Sequence, residues 1–198
     1  MLASIHPLGE RARGRRWGIT VTGFIAGAGL AGACAGLLLG LAGAIVREHT
    51  GSPTAVAATV IGIALIGVAF DLRWAGLRLP TVRRQVNEDW LHRYRGGVYG
   101  FGFGFQLGLG IATIVTTATV YLTFVFAFLT GSALGGVVVG ATFGFVRGAT
   151  ILGAARVERP EELRTLHRRL QRWAPLSRTV AVLTQLAVAA VLIAATVA

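Results

Sequence analysis

The sequence predicts an all-α integral membrane protein with about five transmembrane helices. Composition is the first reason. Hydrophobic residues make up 54% of the 198 residues, charged residues only 14%, and mean hydropathy is +0.68. A soluble domain usually carries about 25% charged residues. The distribution of charge is the second. Residues 17–46, 50–70, 96–146 and 179–198 contain none, and a helix needs about 20 apolar residues to cross a bilayer. The third is that all 19 basic residues are arginine and nearly all lie between those runs.

The spans fall at 18–46, 54–72, 97–128, 132–154 and 179–197, and the segments joining them alternate in character. Segment 1–17 has net charge +3, segment 47–53 is neutral, 71–95 is +3, 129–131 is uncharged and 155–178 is +4. The positive-inside rule makes the arginine-rich side cytoplasmic, with the N-terminus inside and the C-terminus outside. The formal charge of +11 is then an orientation signal with anionic lipid headgroups as its partner, not a nucleic-acid surface. Arginine without lysine, 28 glycines and abundant alanine suit a GC-rich bacterial genome, hence a multi-pass protein of the bacterial cytoplasmic membrane. The arginine-rich start and the run up to Cys34 resemble a cleaved signal superficially. The first span exceeds a signal core of about 7–15 residues, so a retained helix is expected.

The chain repeats itself at an offset of about 80 residues. Gly18, Gly23, Phe24, Gly29 and Leu30 align with Gly97, Gly102, Phe103, Gly108 and Leu109, and Thr50-Gly51-Ser52 aligns with Thr130-Gly131-Ser132. Leu72, Ala75, Pro80 and Arg84 align with Leu152, Ala155, Pro160 and Arg164. The organisation expected is a basic cytoplasmic N-terminus (1–17), a first helix pair with its basic segment (18–95), a second (96–178) and a final helix (179–198). Units of two spans keep one orientation, so the repeat is parallel. Both basic segments predict amphipathic interfacial helices on the cytoplasmic side. Val82, Val86, Trp90 and Tyr94 recur every fourth residue. After Pro160, Glu161 and Glu162 suit a helix start, and Leu163, Leu166, Leu170 and Trp173 share a face.

Small residues recur at spacings of four. Span three has Gly96, Gly100, Gly104, Gly108 and Ala112; span four has Ser132, Gly136, Gly140, Gly144 and Gly148; span one has Ala28, Gly32, Gly36, Gly40 and Ala44. On a helix this spacing makes a continuous groove of bare backbone that permits close packing in lipid. The grooves serve packing within the chain, or against a second copy or partner membrane subunits. Span three is also too long, since 32 residues at 1.5 Å each give about 48 Å against a hydrocarbon core of about 30 Å. It must tilt, protrude or break, with Gly108–Gly110 the expected break and Thr113, Thr116, Thr117, Thr119 and Thr123 the hydroxyls at hand. Those hydroxyls also serve by bonding their own backbone carbonyls.

Chemistry is sparse. Arg147 is the one charge inside a span, and Gln106 and Gln185 fall at a similar depth, about 10–13 Å from the cytoplasmic boundary. An ionisable residue in a span marks a functional site by default. The three are expected to form a polar cluster that holds a small, possibly anionic solute; snorkelling of Arg147 to the headgroups is the plainer alternative. No metal-ligand spacing, cofactor motif, nucleophile–base pair or phosphate loop occurs, so no enzyme, metal or cofactor is expected. The single Cys34 reads as a small buried residue. Asp71, where the second span overlaps the basic segment 71–95, is counted with that segment, so no acid is assigned to a span, which favours a passive role over a proton-coupled carrier.

The glycine-rich paired spans with basic connectors resemble, in composition, membrane regions fused to some actinobacterial NACHT-type NTPases. That likeness carries no diagnostic motif and implies no role for any residue. The function expected is pore- or transporter-like, with a non-catalytic structural or assembly subunit of a larger membrane complex as the alternative.

Overall fold

The computed structural model describes residues 5–50, 52–77, 79, 93–110 and 115–197. Every regular element among them is helical. The line through Val82, Val86 and Trp90, the pairings of Pro80 and Arg84, the turn glycine at 51 and Thr113 lie outside the described residues. The helices are α1 (Pro7–Ala12), α2 (Trp17–Thr50), α3 (Pro53–Asp71), α4 (Gly96–Gly108), α5 (Thr119–Leu129), α6 (Ala133–Ala149) and α7 (Pro160–Val197). Short 3-10 turns follow α3 and α6. Four stretches, Trp17–Glu48, Thr54–Asp71, Ala133–Ala154 and Pro160–Thr196, are long and apolar enough to cross a membrane. The third expected span is instead divided between α4 and α5.

Local chemistry sets the helix starts. Ser52 precedes Pro53 and its hydroxyl accepts from the Ala55 amide; Ser132 accepts from the Gly135 amide in the same way. A hydroxyl at this position satisfies an amide that the helix itself cannot. At α7 the Glu162 carboxylate reaches back to the amides of Glu158 and Arg159, at 2.7 and 3.1 Å. That is the acidic half of a capping box.

Helix α2 is the axis of the bundle and packs against α6 and α4. Against α6 the contact is glycine on glycine. A methyl group on Gly32 would run into the carbonyl of Gly140, one on Gly36 into that of Gly136, and one on Gly40 into that of Ser132. The clash is reciprocal, since Gly136, Gly140 and Gly144 meet the carbonyls of Gly36, Gly32 and Ala28. Gly148 of α6 also lies on Ala28 and Ile25, and against α4 the bare faces of Gly100, Gly104 and Gly108 lie on the carbonyls of Thr20, Phe24 and Ala28. Backbone at this distance from backbone has no room for a Cβ, which is how small residues let membrane helices approach. The ladders of α2 and α6 thus face each other, whereas that of α4 lies on Thr20, Phe24 and Ala28 of α2.

Cys34 is exposed rather than buried. It falls on the flank of α2 that neither α4 nor α6 covers, among exposed Leu30, Leu37, Leu38 and Leu41. Helix α3 packs against α7 and α5 and not chiefly against α2, its neighbour in the chain. Val60, Ala64, Leu122 and Ala189 form that second core. The first core gathers Ile5, Val21, Phe24, Tyr99, Phe103 and Ile151.

The amphipathic segment after Pro160 is continuous with the last span: α7 runs 38 residues with Pro175 inside it. Nothing else between Trp173 and Arg178 interrupts helical geometry, and a proline removes one amide without ending a helix by necessity. Segment 1–17 is also more than a basic tail. His6 caps α1, the Leu8 amide donates to the Val157 carbonyl at 3.3 Å, and Ile5 is fully buried.

Candidate functional site

The break in the third span is the centre of the site. Helix α4 ends at Gly108, and Gly110 adopts φ +72°, a left-handed conformation that suits glycine. A side chain there would also strike the ring of Phe124. A helix broken inside an apolar bundle leaves carbonyls at one cut end and amides at the other. In lipid both must be satisfied by protein or water.

Arg147 serves the carbonyl end. Its Nη1 donates to the Leu107 carbonyl at 3.3 Å and to the Gly110 carbonyl at 3.4 Å. The guanidinium also lies 5.6 Å from the centre of the Phe143 ring, which meets Phe124 edge-on. A cation at the C-terminal end of a helix opposes the helix dipole. Gln106 is half-buried in the same last turn of α4, one residue before Leu107.

Asp71 serves the amide end. It is 4% exposed, and its Oδ1 accepts from the Ala118 amide at 2.9 Å, just ahead of α5. Its Oδ2 accepts from Gln185 Nε2 at 2.7 Å, and the same nitrogen reaches Thr119 Oγ1 at 3.1 Å. Gln185 is completely buried. It fits because position 67 is glycine; a Cβ there would sit 2.5 Å from Gln185 Oε1. A carboxylate at a helix N-terminus is the counterpart of a cation at a C-terminus.

The three expected site residues therefore divide. Arg147 and Gln106 stand at the end of α4, while Gln185 stands at the start of α5 with Asp71. Depth along a span placed them at one level, but the break gives that level two ends. Of the threonines, Thr119 joins the Gln185 cluster and Thr123 donates back to the Thr119 carbonyl. Asp71 was read as the first residue of a connector, because an apolar run that stops at an acid looks like a span that has ended. The signal available was that the second span, drawn as 54–72, already ran past it.

A second buried acid was missed in the same way. Glu10 is completely buried at the meeting of α1, α2 and α4. It accepts from the Tyr99 hydroxyl, from Thr20 Oγ1 at 2.7 Å and from Arg13 Nη2 at 2.7 Å. Burial pushes its carboxyl up, but the bonds from Tyr99, Thr20 and Arg13, with the Arg13 charge, outweigh burial and hold it below the ordinary value. The Arg15 guanidinium lies 5.2 Å from the centre of the Tyr99 ring. This cluster fastens the N-terminal helix to the bundle and lies apart from the break.

No protein-family model, no curated protein and no solved structure matches this chain.

Proposed function

We propose that the chain is a small pore- or transporter-like membrane protein that binds or passes a small anionic solute at the break in its third span. One observation carries the reading: the break has an ionisable side chain at each cut end, Arg147 on the carbonyls of α4 and Asp71 on the amides of α5. Interrupted helices whose ends meet inside the bundle are the usual architecture of membrane solute sites, because non-helical backbone at depth is tolerated only beside protein or a water-filled cavity. Arg147 supplies the positive charge that an anion needs, and Gln106 is the neighbouring amide. In this reading the bundle sits in the bacterial cytoplasmic membrane, arginine-rich end inside, and the two helix pairs descend from a tandem duplication. The matching serine caps at Ser52 and Ser132 support that descent.

The alternative is a structural or assembly subunit, and one observation favours it. Arg147 donates to the backbone carbonyls of Leu107 and Gly110, which is what closing a cut helix requires. Purified protein in phospholipid vesicles separates the two. Protein-containing vesicles loaded with chloride or with phosphate should release one of these anions at least tenfold faster than equally loaded vesicles without protein. Arg147→Ala should abolish the excess, and Arg147→Lys should keep part of it. Size-exclusion chromatography shows whether each variant remains folded. No excess release by the unaltered protein, or full release by a folded Arg147→Ala, would remove the solute site and leave the structural role.

A further inference from the structure

We propose that the stretch of α7 from Pro160 to Arg178 is an arm that lies along the membrane surface and binds its anionic phospholipid headgroups. The first ground is how the arm is tied. Its start follows the end of the fourth span, where Ala154 and Val157 are buried and the Val157 carbonyl accepts from the Leu8 amide. Its end leads into the last span, where Gln185 bonds Asp71 and Ala189 packs with Val60, Ala64 and Leu122. The fourth span, Ala133–Ala154, has 22 residues. At 1.5 Å each these run about 33 Å, one hydrocarbon thickness. Ala154 and Arg178 therefore both stand at the arginine-rich face of the bilayer. An arm of about 28 Å, tied to one face at both ends, runs along that face. Turning from the surface into the span needs a bend, and the joint is built for one. Pro175 removes an amide from the helix. Ser177 Oγ donates to the Ala174 carbonyl at 2.8 Å and Thr179 Oγ1 to the Pro175 carbonyl at 3.2 Å, back-bonds of the kind that loosen and bend helices.

The second ground is chemistry. Between Leu163 and Arg178 the arm carries Arg164, Arg168, Arg169, Arg172 and Arg178 and no acid, while Glu161 and Glu162 are confined to its first turn. By helical spacing Leu163, Leu166, Leu170, Trp173 and Ala174 share one side. Arg164, Arg168 and Arg172 fall on the opposite side, and Arg169 and Arg178 flank the apolar stripe. Every residue from His167 to Val180 is exposed, and Trp173 is 70% exposed, so the bundle leaves the stripe uncovered. A membrane surface satisfies both parts. The leucines and tryptophan enter the boundary between headgroups and acyl chains, and the long arginine stems reach phosphate from the flanks. Each arginine near an anionic leaflet adds to the attraction. A second copy is a poor occupant, because its arm carries the same charges. An acidic partner helix would match the charge, but it would have to displace a lipid surface that the two ties already hold against the arm.

The test uses the full chain in vesicles of phosphatidylcholine and phosphatidylglycerol in equal parts. A bimane fluorophore is attached to the thiol of Ala174→Cys, and Cys34→Ser removes the other cysteine. The quencher is a doxyl-labelled phospholipid at a low, fixed mole fraction, with either the glycerol or the choline headgroup. Both should quench, the anionic one at least about threefold more strongly at low salt, and the preference should vanish at about 1 M salt, where the Debye length is about 3 Å. A variant with Arg164, Arg168, Arg169 and Arg172 all replaced by glutamine should lose the preference and keep the quenching, because its leucines and tryptophan remain. The salt series on the labelled chain decides the point even if that variant does not fold. Absence of anion release in the vesicle assay bears on Arg147 and not on this arm. Equal quenching by the two lipids at low salt would remove the headgroup site and overturn the proposal. Quenching by neither would overturn it too, since the arm would then stand clear of the bilayer with its face left to an acidic partner helix.

Discussion

Glu10 shows how much a single side chain can decide in this bundle. It is fully buried, yet three donors hold it ionised more firmly than free glutamate. Its folded pKa is lower than its unfolded one. The stability it gives is therefore present above the ordinary glutamate range of about 4.3. It is lost as pH falls through the lower folded value. Glu10→Gln removes the charge and leaves Tyr99 and Arg13 poorly matched. Hydrogen bonds to charged groups are worth about 1.5–3 kcal/mol. At neutral pH the variant should loosen α1 by that order, and trypsin should cut among Arg11, Arg13, Arg15 and Arg16 about tenfold faster or more. Equal cleavage would show that burial of Ile5 alone holds α1. Hydrogen exchange of residues 5–16, corrected for intrinsic rates, should rise in the unaltered protein when it is acidified below the glutamate range. The exposed Arg11–Glu158 pair should contribute little, as surface pairs do.

At the scale of elements, the design depends on which helix faces which. That part was the least legible in the sequence. Spacing of four between small residues is a local fact of helix geometry, so the grooves on α2, α4 and α6 could be read directly. Their pairing could not, because Gly32 opposite Gly140 and Gly104 opposite Phe24 depend on residues far apart in the chain. That the third span could not cross straight was legible, because 32 residues are too many and glycine weakens a helix, but tilt, protrusion and a break near Gly108–Gly110 stood equally open. Asp71 and Glu10 were not legible, because a charge beside an apolar run looks the same whether it meets water or a neighbouring helix. Two alanine substitutions test the packing. At Gly104 the added methyl meets the backbone of Phe24, whereas at Gly62 nothing lies within 4 Å. Gly104→Ala should cost about 1–3 kcal/mol, the usual penalty of overpacking. Gly62→Ala should stabilise by up to about 1 kcal/mol through helix propensity. Thermal unfolding in detergent should therefore move in opposite directions for the two, and a neutral Gly104→Ala would mean that α2 and α4 are not in contact as described.

The whole molecule has a polarity that follows from these contacts. Residues 5–12 meet Val157 and Glu158 at one end, while Arg47 lies beside Gly131 at the other. The arginines at 11–16, 93–95 and 156–159 thus gather at the first end, the arrangement that fixes orientation in a membrane. Helix α7 tests this polarity most sharply. Its 38 residues would run about 57 Å at 1.5 Å each, nearly twice a hydrocarbon core of about 30 Å. Only one half of it fits in the bilayer, and its composition selects the half after Arg178, where no charge remains. In the proposed orientation the half from Pro160 to Arg178 stands beyond the membrane on the arginine-rich side. It shows Trp173 and Leu176 exposed there among the arginines. A reporter inserted after Arg172 should read cytoplasmic, and one fused after Ala198 should read outside. If both read cytoplasmic, α7 does not cross, and Asp71 and Gln185 would lie at the edge of the membrane instead of within it. The pair of reporters therefore tests the orientation and the depth of the broken-span site together.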